Sequence, residues 1–469
     1  MVTPLFRALK TLKLPESALR SVHIIEDGSY LPSSFKVDIL AQSSIAVSAL
    51  AASLFYSHRR NSSISNVSIS TKHSCAEFKS ERLYTLCGKP ARPPWGVLGG
   101  LHKTSDGYIR MHDSFPDHRA CALRILGLEE NATRSDVAGK MLTWKAVELE
   151  KEAFQSGAVI LALRSFEEWD ALPQAKALSD CPILLEKLKD SSPYSPAFLE
   201  ERDHKCLQGV RVVELSRVIA APVAGKTLAA HGADVVWVTS PNLPDLPDLD
   251  RDLSRGKRTV QLDINKQADK EKLLDLIRSA DVFIQGYRPG SLAAKQLSPE
   301  ELTKLNPNLI IANMSAWGPT GPWARNRGFD SLVQTATGLN VAEAKAYGEG
   351  EVAHVLPCQA LDHGAGYLLA TGAIAALYKR ATKGGAYRVD VSLAGVGKYL
   401  RSLGRYEGMT GFERQDIKNP EDVSEYLETR ESGFGELVAL RHSVTLEGLD
   451  VGWDIMPMPL GSHEPRWIG

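Results

Sequence analysis

One acid in this sequence stands where it could do chemistry. Asp362 lies in the stretch Gln359-Ala-Leu-Asp-His-Gly-Ala-Gly366, between apolar neighbours and ahead of Gly364 and Gly366. A carboxylate can act as a nucleophile or a base. Glycine lets a ligand or another backbone come close. His363 adds an imidazole, a side chain that can serve as an acid or a base. Consecutive helical residues point in different directions, so His363 reads either as a second functional group or as a capping or packing residue. Asp is also a preferred N-cap. Two readings of Asp362 therefore stand side by side, a cap and a ligand-facing carboxylate. No other cluster competes. Cys75, Cys87, Cys121, Cys181, Cys206 and Cys358 are scattered. They suggest free thiols in a reducing compartment, with no metal site and no disulfide framework.

The elements that must position Asp362 can be read from the pattern around it. Residues 367–378 are small, apolar and uncharged, which predicts a buried helix with Asp362 at its mouth. From residue 210 onward, short β-rich runs alternate with helical ones. Strands are expected at 210–215, 233–238, 259–262, 281–285 and 309–313, and helices at 222–231, 270–279 and 299–305. Such alternation predicts an α/β fold with a doubly wound, parallel sheet, Rossmann-like, that binds its ligand at the carboxyl ends of the strands. Residues 80–200 read as a smaller α/β domain. It has strands at 107–111 and 159–163 and helices at 117–126 and 135–153. A Ser/Pro-rich linker is expected from Ser191 to His204. We divide the chain into a leader (1–36), a partial repeat with the small domain (37–200), a large domain carrying Asp362 (201–400) and a C-terminal return segment (401–469).

The repeat is visible without alignment to anything else. A shift of 324 positions lays Asp38 on Asp362, Ala41 on Ala365, Ala46 on Ala370 and Val67-Ser68-Ile69 on Val391-Ser392-Leu393. Leu40 and Gln42 then stand at the positions of Gly364 and Gly366. The first copy has lost the close approach that glycine allows.

Composition limits the partners. The 469 residues carry a net charge of −1 with no long run of one sign, which gives no ground for a nucleic-acid or membrane-surface partner. The first residues lack the apolar core of a signal peptide, and residues 43–56 are too few and too serine-rich to span a bilayer. The expected location is the cytoplasm. After Leu215 there is no G-x-G-x-x-G and no Walker lysine, so nucleotide sites built on those motifs are not expected.

The large domain carries a different set of motifs. Val212-Val-Glu-Leu-Ser-Arg-Val-Ile-Ala-Ala-Pro222, Gly256-Lys-Arg-Thr-Val-Gln-Leu-Asp263, Asp281-Val-Phe-Ile-Gln-Gly-Tyr-Arg-Pro-Gly290, Ser315-Ala-Trp-Gly-Pro-Thr-Gly-Pro322 and Gly328-Phe-Asp-Ser-Leu-Val-Gln-Thr-Ala-Thr-Gly338 resemble, in order, segments of the family III CoA-transferases, the CaiB/BaiF family. The resemblance covers about residues 207–400. A weaker likeness over 37–200 matches later parts of the same family, which implies a rearranged or truncated tandem form.

The resemblance implies an activity. CoA would pass from an acyl-CoA to a carboxylic acid, with Asp362 as nucleophile and aspartyl-CoA as intermediate. Asp362 is expected to be ionised at its ordinary pKa of ~3.9. The N–H groups of Gly364 and Gly366 are expected to serve the oxyanions. CoA is a substrate, and no permanently bound cofactor or metal is implied. Its contacts would be Ile219, Ala220, Leu262, Asp263, Gly286, Tyr287, Arg288, Trp317 and Gly318. Arg258 and Arg288, with Arg255 and Lys257, would face phosphates. One departure concerns those phosphates: Thr239-Ser-Pro241 stands where the family often has an arginine. The partners implied are a small acyl-CoA, a carboxylate and a second copy in an interlocked homodimer. Acetyl-CoA is one candidate donor, in specialised metabolism. Two other readings remain. One is a 2-methylacyl-CoA racemase, but its second base would fall at Phe329. The other is a non-catalytic CoA-binding paralogue.

Overall fold

A computed structural model describes residues 10–196, 199–200, 204–348 and 350–468. Its centre is a seven-stranded sheet. The strands are β1 (Ile183–Lys189), β2 (Arg211–Leu215), β3 (Asp234–Thr239), β4 (Lys257–Gln261), β5 (Val282–Gln285), β6 (Ile310–Ser315) and β7 (Ala386–Ser392). They lie in the order β4-β3-β2-β5-β6-β7-β1. Strands β2 to β7 are parallel, and β1 closes the β7 edge antiparallel. The order reverses between β2 and β5. A crevice opens there at the carboxyl ends of a doubly wound sheet. The strands carry nearly unbroken Val/Ile runs because both faces are covered. That is why they were readable from sequence to within about two residues at most ends.

Four helices matter for the site. They are α1 (Val37–Arg60), α2 (Ala220–Ala230), α3 (Asp330–Ala336) and α4 (Ala360–Lys383). Helix α4 is buried along almost its whole length. It is tied at both ends. Near its carboxyl end Arg380, fully buried, donates to Asp281 Oδ1 at 2.6 Å and to the Asn308 carbonyl at 2.9 Å, just before β5 and β6. At its amino end the N-cap is Gln359, whose side chain makes no capping bond, and Asp362 is the third helical residue. The capping reading of Asp362 is therefore corrected. The cap comes from α3, where Asp330 Oδ2 accepts the N–H groups of Leu361 and Asp362 at 2.8 and 2.9 Å.

Helix α1 is also 24 residues long and packs directly on α4. It is long and apolar enough by composition to cross a membrane, more than residues 43–56 suggested, but 89% of its most apolar window lies inside the protein. The two helices meet at their matching positions. A Cβ on Gly364 would touch Leu40 Cδ2 at 3.1 Å. Beyond α1, Val67–Ser70 pairs with Val22–Ile25 and with Val444–Leu446. The expected leader therefore supplies a strand, and its first nine residues lie outside the described ones. So does part of the expected linker.

The smaller unit contains Gly100–Lys103, Tyr108–Met111 and Ile160–Ala162 in one antiparallel sheet. The helix expected over 135–153 is two helices, Arg134–Met141 and Ala146–Ser156. Asp106 Oδ1 accepts the Ala146 N–H at 2.8 Å and starts the second one afresh.

The packing predicts different costs for two alanine substitutions. On Gly366 a Cβ would meet Val223 Cβ at 2.5 Å and the Ala220 carbonyl at 2.6 Å, whereas Gly364 faces the tip of a flexible leucine. Gly366→Ala should lose about 1–3 kcal/mol of stability by overpacking. Gly364→Ala should be near neutral, since alanine's helix propensity offsets the contact. Denaturant unfolding of both variants measures the difference. Equal losses would refute this account of the notch.

Candidate active site

Asp362 is 6% exposed, and among the described residues no donor bonds its carboxylate. Its surroundings are acidic. Asp330 sits beside it and is itself held by the Gln334 amide. Gln334 in turn accepts the Leu356 N–H at 3.1 Å and so fixes the loop before α4. Glu81, from the far end of the sequence, bonds His363 Nε2 at 2.9 Å and Arg82. These contacts bring residues 81, 330 and 362 to one point.

The electrostatics come from burial. Burial first, then the charges of Asp330 and Glu81, push the Asp362 pKa well above the ordinary carboxylate value. Burial also raises Asp330, to about 6, against the N–H of Asp362 and the Gln334 amide that favour its charge. Glu81 goes the other way. Burial would raise it, but His363 and Arg82 outweigh that and bring it to about 2. The expectation of an ordinary pKa for Asp362 is thus corrected. His363 is buried and spent on Glu81, stacked near Phe78.

The glycines need correction too. Gly364 and Gly366 lie inside α4, past the first four residues whose N–H groups are free of the helix ladder. Their N–H groups are committed to that ladder and cannot face an oxyanion. Their work is close packing, against α1 and α2. Gln359, the N-cap residue of α4, lines the neighbouring cavity, which the sequence reading did not anticipate.

The expected CoA contacts divide in two. Ile219, Ala220, Gly286, Tyr287, Arg288, Trp317 and Gly318 all come after β2, β5 or β6 at the carboxyl edge. A Cβ on Gly286 would touch Ala221 Cβ at 3.1 Å, so these turns meet at the switch point. Arg288 is exposed there and donates to the Arg325 carbonyl at 3.2 Å. Leu262 and Asp263 lie past β4, at the sheet's far edge. Asp263 is occupied by the N–H and amide of Asn265 at 3.1 and 3.0 Å. Arg258 is not a phosphate ligand. It is buried and paired with Asp234 through bonds of 2.8–3.0 Å. Arg255 is bound to Asp252 and the Leu440 carbonyl, and Lys257 to Glu214 at 2.9 Å and the Pro222 carbonyl at 2.7 Å. A buried cation whose acid partner holds it gives nothing to a ligand.

Arg217 was missed. It comes just after β2, with its guanidinium 4.4 Å from the Phe115 ring centroid. The next residue, Val218, has φ +72°, a strained conformation for a β-branched residue. The sequence held a signal, a basic residue in the turn at the switch point. Phe329 was also read incompletely. His112 stacks flat on it, with centroids 4.1 Å apart, and His118 lies 5.7 Å away. Burial lowers both imidazoles, to about 3 and about 4. His112, Phe115 and His118 thus pack around Phe329.

Several known proteins are similar to parts of this chain. A family model described as CoA-transferase family III matches residues 207–423. An acyl-CoA transferase of Gibberella moniliformis is 30% identical over 312 residues, 62% of this chain and 54% of that protein. An acetyl-coenzyme A transferase of Hypoxylon pulicicidum is 35% identical over 210 residues, 44% of this chain and 35% of that protein. A crystal structure of a hypothetical protein from Mycobacterium tuberculosis is 30% identical, covers 45% of this chain and 58% of that one, and has a TM-score of 0.39. The chain spans about half or less of the length of these curated relatives.

The buried carboxylate sets a stability prediction. Asp362 has a raised folded pKa, so the folded state binds the extra proton. Stability then falls as pH rises from the unfolded value of ~3.9 through the folded one. Asp362→Asn should raise the melting temperature at pH 8, and the gain should shrink towards zero near pH 4. A gain that is flat with pH in thermal unfolding would refute the burial argument.

Proposed function

We propose, from the match of residues 207–423 to the family model described as CoA-transferase family III, that the chain moves CoA from an acyl-CoA to a carboxylic acid through Asp362. One observation carries this reading: among the described residues no donor meets the Asp362 carboxylate, which stands at the mouth of a buried helix beside the crevice of the sheet.

The steps balance without an outside reagent. An Asp362 oxygen attacks the thioester carbonyl, and the C–S bond breaks. This leaves a mixed anhydride and CoA thiolate. The thiolate attacks the aspartyl carbonyl, and the acyl group leaves as its carboxylate. Aspartyl-CoA remains. The incoming carboxylate attacks that thioester and frees the thiolate, which then attacks the new acyl carbonyl. The products are the new acyl-CoA and the Asp362 carboxylate. Gln359 is the amide donor we assign to the oxyanions, in place of the two glycines. Arg217 and Arg288 flank the path for CoA. Acetyl-CoA is a reasonable first donor, since a relative is named an acetyl-coenzyme A transferase. A role in specialised metabolism belongs to the same proposal.

A second reading has one observation in its favour. His112 supplies an imidazole on the face of Phe329, near where an isomerase would need its second base. One experiment separates the two. The protein is incubated with acetyl-CoA and 2-methylacyl-CoA in D2O, with hydroxylamine present, and its peptides are weighed. Transfer predicts a hydroxamate on the peptide holding Asp362, lost in Asp362→Ala. Deuterium at carbon 2 with no hydroxamate would favour isomerisation, and neither product would favour a non-catalytic binder.

Asp330 gives a pH test. Attack needs the charged Asp362, so activity should rise with pH along an acid limb above the ordinary carboxylate range. Asp330→Asn keeps an acceptor for the two N–H groups but removes a like charge. The acid limb of kcat/KM should then move to lower pH. An unmoved limb would mean that Asp330 does not set the charge of Asp362.

A further inference from the structure

The chain folds one arrangement twice. In the second half, α4 is followed by β7 and by a helix, Leu393–Ser402. In the first half, α1 is followed by the strand Val67–Ser70 and by a helix, Thr71–Glu77. Both long helices have 24 residues and carry an acid in the first turn, Asp38 or Asp362. Their N-cap residues, Lys36 and Gln359, have nearly the same backbone angles, φ −80° and ψ 60° against φ −75° and ψ 62°. Both strands run straight into a helix capped by serine. Ser70 Oγ accepts the His73 N–H and Ser392 Oγ the Gly395 N–H, each at 3.1 Å. The strands are also flanked alike. Val67–Ser70 has a parallel neighbour, Val22–Ile25, and an antiparallel one, Val444–Leu446. For β7 the neighbours are β6, parallel, and β1, antiparallel. The sequence repeat is thus a repeat of structure.

The two copies face each other as the halves of a symmetric dimer do. In a two-fold pair every contact appears twice, and residues on the axis meet their own equivalents. Leu40, which the shift of 324 positions lays on Gly364, is the side chain that packs against Gly364. Edge strands are exchanged. Strand β1 follows the first copy and pairs with β7 of the second, whereas Val444–Leu446 follows the second copy and pairs with Val67–Ser70 of the first. The segments behind the short helices cross over in the same way. Glu81 reaches α4 and bonds His363 at 2.9 Å. The same shift lays Arg82 on Tyr406. Tyr406 reaches α1, where its O–H donates to Asp38 Oδ1 at 2.8 Å.

The copies differ in what they leave open. Asp362 meets no donor among the described residues. Asp38 is as deeply buried, but it accepts the Tyr406 O–H and is paired with Arg414, whose guanidinium lies 3.8 Å from the Tyr406 ring centroid. A carboxylate held by such charge-assisted bonds is not free to attack. Residues 26–36 lead into α1 with no counterpart of α3, the helix that brings Asp330 to α4.

We propose that the first copy stands in for a partner subunit: the chain is a monomer that carries its own two-fold partner, with an open site at Asp362 and a sealed one at Asp38. The first half completes the open site. Glu81 holds His363, and Arg110 Nε donates to Thr335 Oγ1 on α3 at 3.0 Å. A second chain adds its own α1 or α4 here only by displacing the helix already in place. The pairing of the copies is independent of the transferase reading above, and the count of open sites rests on it.

Light scattering of the full chain should give the mass of one chain across a wide range of concentration. Two cross-strand pairs then report which chain supplies each edge strand. Ser68 faces Thr445, and Glu186 faces Arg388. Such pairs lie within reach of a disulfide. Ser68→Cys with Thr445→Cys, and Glu186→Cys with Arg388→Cys, should each close under oxidised glutathione within one chain, with no band of doubled mass on a denaturing gel. A dimer mass for the wild type, a doubled band, or failure of both pairs to close would overturn the proposal. If one double variant does not fold, the other and the wild-type mass decide. With acetyl-CoA and hydroxylamine, hydroxamate should form on the peptide holding Asp362 and not on the one holding Asp38. Hydroxamate on Asp38 would refute the sealed site. Hydroxamate on neither would sink the transferase reading, while mass and cross-links still judge the pairing.

Discussion

The active-site geometry hangs on one bridge, the Asp330 carboxylate across two N–H groups of α4. A helix begins with N–H groups that its own backbone cannot satisfy, and burying them without acceptors is costly. Here the acceptor comes from another helix. The same contact thus satisfies the backbone, fixes the angle between α3 and α4, and sets a like charge beside Asp362. Arg380 does the corresponding work at the other end, where a buried ion pair ties α4 to the loops before β5 and β6. Between those two clamps the helix has no polar face and depends on its fit to α1, α2 and the sheet.

The second consequence is chemical. Burial, and then the nearby charges of Asp330 and Glu81, make the ionised carboxylate of Asp362 an expensive species. Under the proposed path, a carboxylate destabilised in this way would be more reactive once ionised, so that burial and reactivity would be two faces of one arrangement. The rings of His112, Phe115 and His118 packed around Phe329 add apolar surface to this region.

Much of this was legible in the sequence, and the failures have physical causes. Strands buried on both faces announce themselves as apolar runs, so the sheet could be read strand by strand. Asp362 and its glycines were legible as a special place. What the glycines do was not, because close packing and N–H donation leave the same sequence mark. Arg258, Arg255 and Lys257 were read as phosphate ligands since a cation does not reveal its acid. Asp234, Asp252 and Glu214 meet them only in the fold. Arg110, His112 and Glu81 carry no local signal at all. They reach the site through the packing of segments more than 200 residues from α3 and α4 in sequence.

Helix α1 has a further meaning for the chain as it is made. Its main partner α4 begins about 320 positions after it, and the strand Val444–Leu446 lies about 380 positions after the Val67–Ser70 strand that it flanks. A ribosome therefore releases a 24-residue apolar helix long before the surface that covers it exists. Contacts this distant in sequence give high contact order and slow folding, and an uncovered apolar helix is sticky in the interval. The yield of this protein in a cell is then set by a race between elongation and aggregation, in which slower growth or a chaperone that shields the early segment shifts the outcome towards the folded chain.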